Sequence, residues 1–253
     1  MAKERTNAKL PKQPPERKDP LEGELGERGE PMSPLTAWYG ANPGAENATS
    51  FSDPYLINCQ RNPYVYALRR AGYDVEALPN EDGFGGNRLV YNPSIHSYEF
   101  DNSYMWRGVV NPEAHVTMQG ATYKEELANI RKQMAEWGDG SIAAVSVFWK
   151  GGNGHVFVAE QINGETVFLD TQVSRRNDVP DVFRDESVQS RKRLSIGDGK
   201  VSYAGSDVNI EKRMANTVRA IHGVRATTLT RLDNAQYNPE MLKRVCTKKR
   251  KET

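Results

Sequence analysis

The chain has 253 residues, and its 34 Lys and Arg nearly cancel its 33 Asp and Glu, leaving a net charge of +1. That length suits one sizeable domain with tails, while a hydrophobic fraction of 37% and a mean hydropathy of -0.73 imply that part of it does not pack. Net charge points to neither a nucleic-acid nor a membrane partner, and no run approaches the roughly 18 apolar residues of a membrane span. Two cysteines exclude a disulfide framework, and with four scattered histidines and no CxxC spacing neither a metal nor another cofactor is expected.

Residues 1–34 read as a disordered charged tail, with both charge signs, repeated prolines and no aromatic residue up to Glu30. No apolar stretch follows the basic residues, so no Sec signal peptide is expected. A functional reading of this tail is an arm that orders on a partner. Residues 38–53 look loop-like. Asn62 as N-cap and Pro63 at the first helical position then open a helix that Gly72 closes. Residues 73–78 alternate as a short strand, and the Gly- and Asn-rich stretch 81–92 reads as a loop.

The clearest helix covers residues 122–137. Leu127, Ile130, Met134 and Trp137 recur on one face, while Glu125, Glu126, Arg131 and Lys132 are expected to face away. A buried strand follows at 141–149, then a glycine turn at 151–154 and a second strand at 155–161. Asn163-Gly164 is a hairpin signal, and residues 165–170 return as a third strand. A helix followed by antiparallel strands argues for an α+β fold. Residues 171–205 are polar and aperiodic. A helix at 208–222, a last strand at 227–232 and a short helix near 239–246 complete a domain spanning 35–246. A basic C-terminal tail follows at 247–253.

Cys59 sits in a polar loop between Asn58 and Gln60, just before a helix. The partial positive charge of helix N-terminal amides favours a thiolate, and a donor-rich turn there offers an oxyanion hole. His155 begins a strand after a glycine loop, where a rigid sheet holds the imidazole while substrate approaches. The Asn163-Gly164 turn pairs residues whose numbers sum to about 327. Asp170 therefore falls roughly opposite Phe157, on the face and at the end of the sheet that carry His155. A carboxylate there accepts the second imidazole N–H and fixes the tautomer. Gln172 is expected on the same face, sharing that polar role. Trp149 and Gly154 flank the glycine loop and are candidates for a substrate cleft. His96, His115 and His222 lack such a partner and read as structural.

The segment Asn58-Cys59-Gln60-Arg61, with Tyr66-Ala67-Leu68-Arg69-Arg70-Ala71-Gly72-Tyr73-Asp74-Val75 after it, resembles the papain-fold toxin domain of the Tox-PL group. Gly154-His155-Val156-Phe157 and Asp170-Thr171-Gln172 are similar to the family's histidine and acidic elements. Thr230-Arg231-Leu232-Asp233-Asn234 resembles its closing strand. The resemblance implies a papain-like Cys59–His155–Asp170 hydrolase related to protein glutamine deamidases, acting on a glutamine side chain of a protein substrate; a peptidase or an acyl transferase would use the same three residues. It implies settings in polymorphic toxins or phage minor head proteins. Residues 1–34 would then engage a phage head or a delivery partner, and the chain would be virion-associated or delivered into a target cytoplasm. A packaged structural protein that keeps the fold without catalysis is the alternative. The papain-type glutamine before the nucleophile is absent, Asp53 and Pro54 occupying that region. The oxyanion donors expected here are therefore the Cys59 backbone N–H and the Gln60 side chain, with Asn58 in support.

Overall fold

The computed structural model describes residues 19–48, 50, 52–81, 89–92, 97–100, 109–118, 122–149, 154–172 and 224–249. Residues 1–18, the glycine turn at 151–153, the expected helix at 208–222, His96, His222 and residues 250–253 lie outside them. In chain order the helices are α1 (Glu22–Leu25), α2 (Pro34–Ala41), α3 (Asn62–Arg70), α4 (Tyr123–Trp137) and α5 (Pro239–Leu242). The strands are β1 (Val75–Ala77), β2 (Leu89–Asn92), β3 (Ser97–Phe100), β4 (His115–Met118), β5 (Ile142–Trp149), β6 (Gly154–Ile162), β7 (Glu165–Leu169), β8 (Val224–Arg231) and β9 (Cys246–Lys248).

The central sheet has five strands in the order β4-β8-β5-β6-β7, each antiparallel to its neighbours. Its two faces bury different sets of side chains, as period-two alternation requires. Ala143, Val145, Val147, Phe157, Ala159 and Phe168 pack with Leu127, Ile130 and Met134 of α4. Ile142, Ala144, Val156, Val158, Val167 and Leu169 share a core with α2 and α3. The molecule is thus an α+β sandwich, helix on sheet on helices, as the sequence pattern anticipates.

α4 starts on the Thr122 side chain, which accepts the Glu125 N–H, and stops at Gly138. Its face is wider than periodicity predicts. Glu126, expected to face solvent, is buried and accepts a hydrogen bond from the Thr227 hydroxyl on β8. Burial pushes its carboxyl above the ordinary range, only partly offset by that hydrogen bond. Residues 38–53 are not merely a loop either. Ser33 caps α2 by accepting the Thr36 N–H, Pro34 takes the first helical turn, and Ala37, Trp38 and Ala41 are fully buried. Residues Pro43–Asn47 follow as a 3-10 helix. Part of the expected 81–92 loop is strand, since β2 pairs with β3 as a separate hairpin.

α3 ends in a Schellman motif: the Tyr73 N–H reaches Leu68 O at 3.0 Å and the Gly72 N–H reaches Arg69 O at 2.9 Å, with Gly72 at φ +104. Onto this end docks a segment assigned by composition to the tail. Gly29 N donates to Gly72 O, Met32 N to Arg69 O and Arg28 Nε to Ala71 O, while the Tyr73 hydroxyl donates to Asp19. Leu25 is buried in the α2–α3 core. The tail expected over residues 1–34 is therefore ordered from Asp19 onward. Its donors find carbonyls at a helix end, which composition does not reveal. At the other end, β8 is not the last strand. β9 pairs with β1, Ala77 opposite Cys246 and Val75 opposite Lys248, so ordered structure runs into the expected basic tail at 247–253.

Candidate active site

The β6–β7 hairpin turns at Asn163 and Gly164, both with positive φ (50° and 83°), the backbone that a two-residue type I′ turn demands. Val158 pairs with Leu169 and Ile162 with Glu165, a register that holds the pairing sum at 327. Asp170 follows β7 directly and is buried, its side chain 1% exposed. Its Oδ2 lies 3.0 Å from His155 Nε2. The His155 ring also stacks on Phe157, with centroids 6.3 Å apart, so packing as well as hydrogen bonding fixes its plane.

Two further groups hold Asp170. The Gln172 N–H donates to Oδ1 at 3.1 Å, and the Trp38 indole of α2 donates to the Asp170 carbonyl at 3.0 Å. The carboxylate thus accepts from the imidazole on one oxygen and from backbone on the other. Gln172 does not share the histidine-facing role expected of it. Its side chain crosses to the carbonyl of Leu56, and its own carbonyl accepts from Asn42 Nδ2 at 2.7 Å.

Cys59 stands in the turn that leads into α3. Asn58 O accepts the Arg61 N–H at 2.8 Å, and Arg61 O accepts Val65 N–H at 3.2 Å, so the turn flows into the helix. Asn62, expected as N-cap, lies inside α3 instead. The cap position is Arg61, already in helical geometry, and the Asn62 amide donates to Asn58 Oδ1 at 2.9 Å. This brings Cys59 within a turn of the helix start, with Pro63 in the first turn, where no backbone donor is lost. Cys59 is half-buried against the α2–α3 core. The other cysteine, Cys246, is buried in that core and burial pushes its thiol up to about 12, so it is an inert thiol at neutral pH.

Asn58 is scaffold rather than oxyanion donor. It is 1% exposed, and its amide donates to Asn42 Oδ1 at 3.0 Å and to Leu78 O at 3.1 Å, committing both hydrogens. The Arg61 guanidinium binds the carbonyls of Leu78 and Pro79, anchoring the same turn from its other side. Gln60 Oε1 is buried without a hydrogen-bond partner. Gly154, exposed at the start of β6, pairs with Phe148. The Trp149 backbone pairs with Val224 across a register shift at the end of β5. His115 begins β4 and binds the Thr230 hydroxyl through Nδ1 at 2.9 Å, a structural use of the ring.

Asn42 is the residue that sequence reading passes over. In Asn42-Pro43-Gly44 it reads as turn punctuation. Folded, it is fully buried, with Nδ2 2.9 Å from Tyr55 O, 3.2 Å from Asn58 Oδ1 and 2.7 Å from Gln172 O. It thereby joins the turn carrying Cys59 to the strand end carrying Asp170. Its partners lie up to 130 residues away in the chain, beyond the reach of any local signal.

Among the described residues no cluster of His, Cys, Asp and Glu is suited to a metal ion, and no helix is long and apolar enough to cross a membrane. Residues 57–175 match the family described as papain fold toxin 1, glutamine deamidase. The match opens just before Cys59 and closes just after Gln172, so it contains His155 and Asp170 as well. No curated protein and no solved structure matches the chain.

Proposed function

We propose, from the match of residues 57–175 to the papain-fold toxin family of the glutamine deamidase type, that the chain is a thiol amidohydrolase converting a protein glutamine side chain to glutamate. Cys59 is the nucleophile, His155 the acid–base and Asp170 the residue that orients it. The single observation that carries this reading is the 3.0 Å contact between His155 Nε2 and buried Asp170 Oδ2. In this reading Nε2–H is held by the carboxylate and Nδ1 exchanges a proton with the thiol.

The chemistry follows from these roles. Proton transfer from Cys59 Sγ to His155 Nδ1 gives a thiolate and an imidazolium, which the Asp170 carboxylate stabilises. The thiolate attacks the carboxamide carbon, forming an S–C bond while the C=O electrons move onto oxygen. The Cys59 N–H and the Gln60 carboxamide are the donors at hand for that oxyanion. Collapse of the adduct breaks the C–N bond as His155 protonates the leaving nitrogen, releasing ammonia and leaving a thioester. His155 then takes a proton from water, hydroxide adds to the thioester carbon, and C–S cleavage returns the thiolate and releases glutamate.

A glutamine-analogue electrophile, with a diazoketone in place of the side-chain carboxamide, tests the assignment. Expected is covalent labelling of Cys59, absent in Cys59→Ala and reduced on the order of a thousandfold in His155→Ala. With glutamine peptides, ammonia should appear without backbone cleavage. No labelling of Cys59 in the folded protein overturns the reading, and cleavage in place of ammonia release moves it to a peptidase.

A further inference from the structure

The nucleophile and the His155–Asp170 pair come from separate parts of the fold. Cys59 belongs to the turn before α3, in the layer of α2 and α3. The His155–Asp170 pair belongs to one end of the β6–β7 hairpin, and His155 shares its face with Phe157, which packs toward α4. Something must set the spacing between the two, because a working thiolate–imidazolium pair tolerates little displacement.

Two hydrogen bonds from side-chain amides span that gap among the described residues. One is Asn42 Nδ2 to Gln172 O at 2.7 Å, and the other is Gln172 Nε2 to Leu56 O. Asn42 is the more central of the two. It is fully buried, and its amide pairs reciprocally with Asn58, the residue next to Cys59, Nδ2 to Oδ1 at 3.2 Å and Oδ1 from Nδ2 at 3.0 Å. It also holds Tyr55 O at 2.9 Å. Gln172, at the far end of the bridge, donates its backbone N–H to Asp170 Oδ1. The route from the nucleophile to the orienting carboxylate thus runs Cys59, Asn58, Asn42, Gln172, Asp170, each step a covalent neighbour or a hydrogen bond.

We infer that Asn42 is a positioning residue for the proposed triad: its carboxamide locks the turn carrying Cys59 to the strand end carrying Asp170, and so sets the Cys59–His155 separation. Only an amide meets the need, because the site requires a donor toward Gln172 O and Tyr55 O and an acceptor toward Asn58 Nδ2 from one short side chain. The inference rests on the reading above and deepens it.

The test follows the pH dependence of Cys59 alkylation by iodoacetamide, which reports the thiolate and hence its coupling to His155. In the wild type alkylation should persist to lower pH than in His155→Ala, which removes the coupled base. Asn42→Ala should move the profile in the direction of His155→Ala, slowing alkylation near pH 6 about tenfold. A core substitution in the separate α4 layer, Met134→Ala, controls for stability and should leave the inflection where it was. Should Asn42→Ala fail to fold, Gln172→Met cuts the second tie and should shift the inflection in the same direction. A wild-type inflection retained in the folded Asn42 variant, or in Gln172→Met where that variant stands in, overturns the inference and leaves the triad standing. An ordinary thiol profile in the wild type, indifferent to His155→Ala, instead overturns the triad itself.

Discussion

Asp170 uses two oxygens with different partners, His155 on one and the Gln172 N–H on the other; in the proposed triad both matter. Asp170→Asn preserves the shape but places either an N–H against Nε2 or the wrong imidazole tautomer in the site. Labelling of Cys59 by the glutamine-analogue electrophile is expected to slow on the order of a thousandfold, with the thermal midpoint changing far less than activity. Glu126 poses a different electrostatic problem. Its raised carboxyl pKa means that the fold favours the protonated form, so its stabilising contribution is full below the unfolded value and is lost as pH rises through the folded value. Glu126→Gln, which keeps an acceptor for Thr227, should therefore raise stability at neutral pH and give no gain in acid. Denaturant unfolding at the two pH values checks the sign. The residue scale is also where the sequence is least legible. His155 and Asp170 could be paired from hairpin arithmetic alone, because both lie on or beside the two strands joined by a turn whose geometry Asn163-Gly164 dictates. Asn42 and Glu126 could not, because each is defined by a partner about a hundred residues or more away.

Among the elements, α3 bears the most on the site, since its lead-in turn carries Cys59. Its C-terminus depends on Gly72 twice over: for the left-handed φ of +104, and because a Cβ there would come within 2.2 Å of Gly29 O. Gly72→Ala should thus both strain the cap and expel the segment around Gly29. The expected outcome is a loss of at least about 1 kcal/mol by denaturant unfolding, with faster hydrogen exchange at the Gly29 and Met32 amides. Helices and strands with a strong period were readable in advance: α4, β5 and the β6–β7 hairpin fall within one or two residues of expectation. α2 was not, although Ser33 and Pro34 carry a start signal, because its few buried residues, Ala37, Trp38 and Ala41, form no lasting stripe. The turn carrying Cys59 was legible in composition but not in geometry. Asn62 looks like a cap, yet its amide is spent on Asn58 Oδ1.

At the scale of the whole molecule, the flanks of the domain converge. Residues from Asp19 onward close over the end of α3, and β9 closes on β1. Glu24 Oε1 and Lys243 Nζ, from the opposite flanks, meet at 3.3 Å. Charge composition suggested solvated tails at both ends. What it could not weigh was the hydrogen-bonding demand of a helix end and of a sheet edge, which recruits polar segments alongside the few apolar residues they bury. The contact between Glu24 and Lys243 also gives a handle on the unfolded chain. A carboxylate and an amine this close can be condensed by a carbodiimide into an amide, with Glu240→Gln removing the competing carboxylate 3.0 Å from the same amine. Such a ring would enclose almost the entire domain. The freedom denied to the unfolded ensemble grows with the logarithm of the enclosed length. Linked molecules should accordingly melt at a higher temperature than unlinked ones while Cys59 labels at the same rate. The two flanks of the domain would then act as one continuous circuit, with the native contact serving as the template for its own permanent closure.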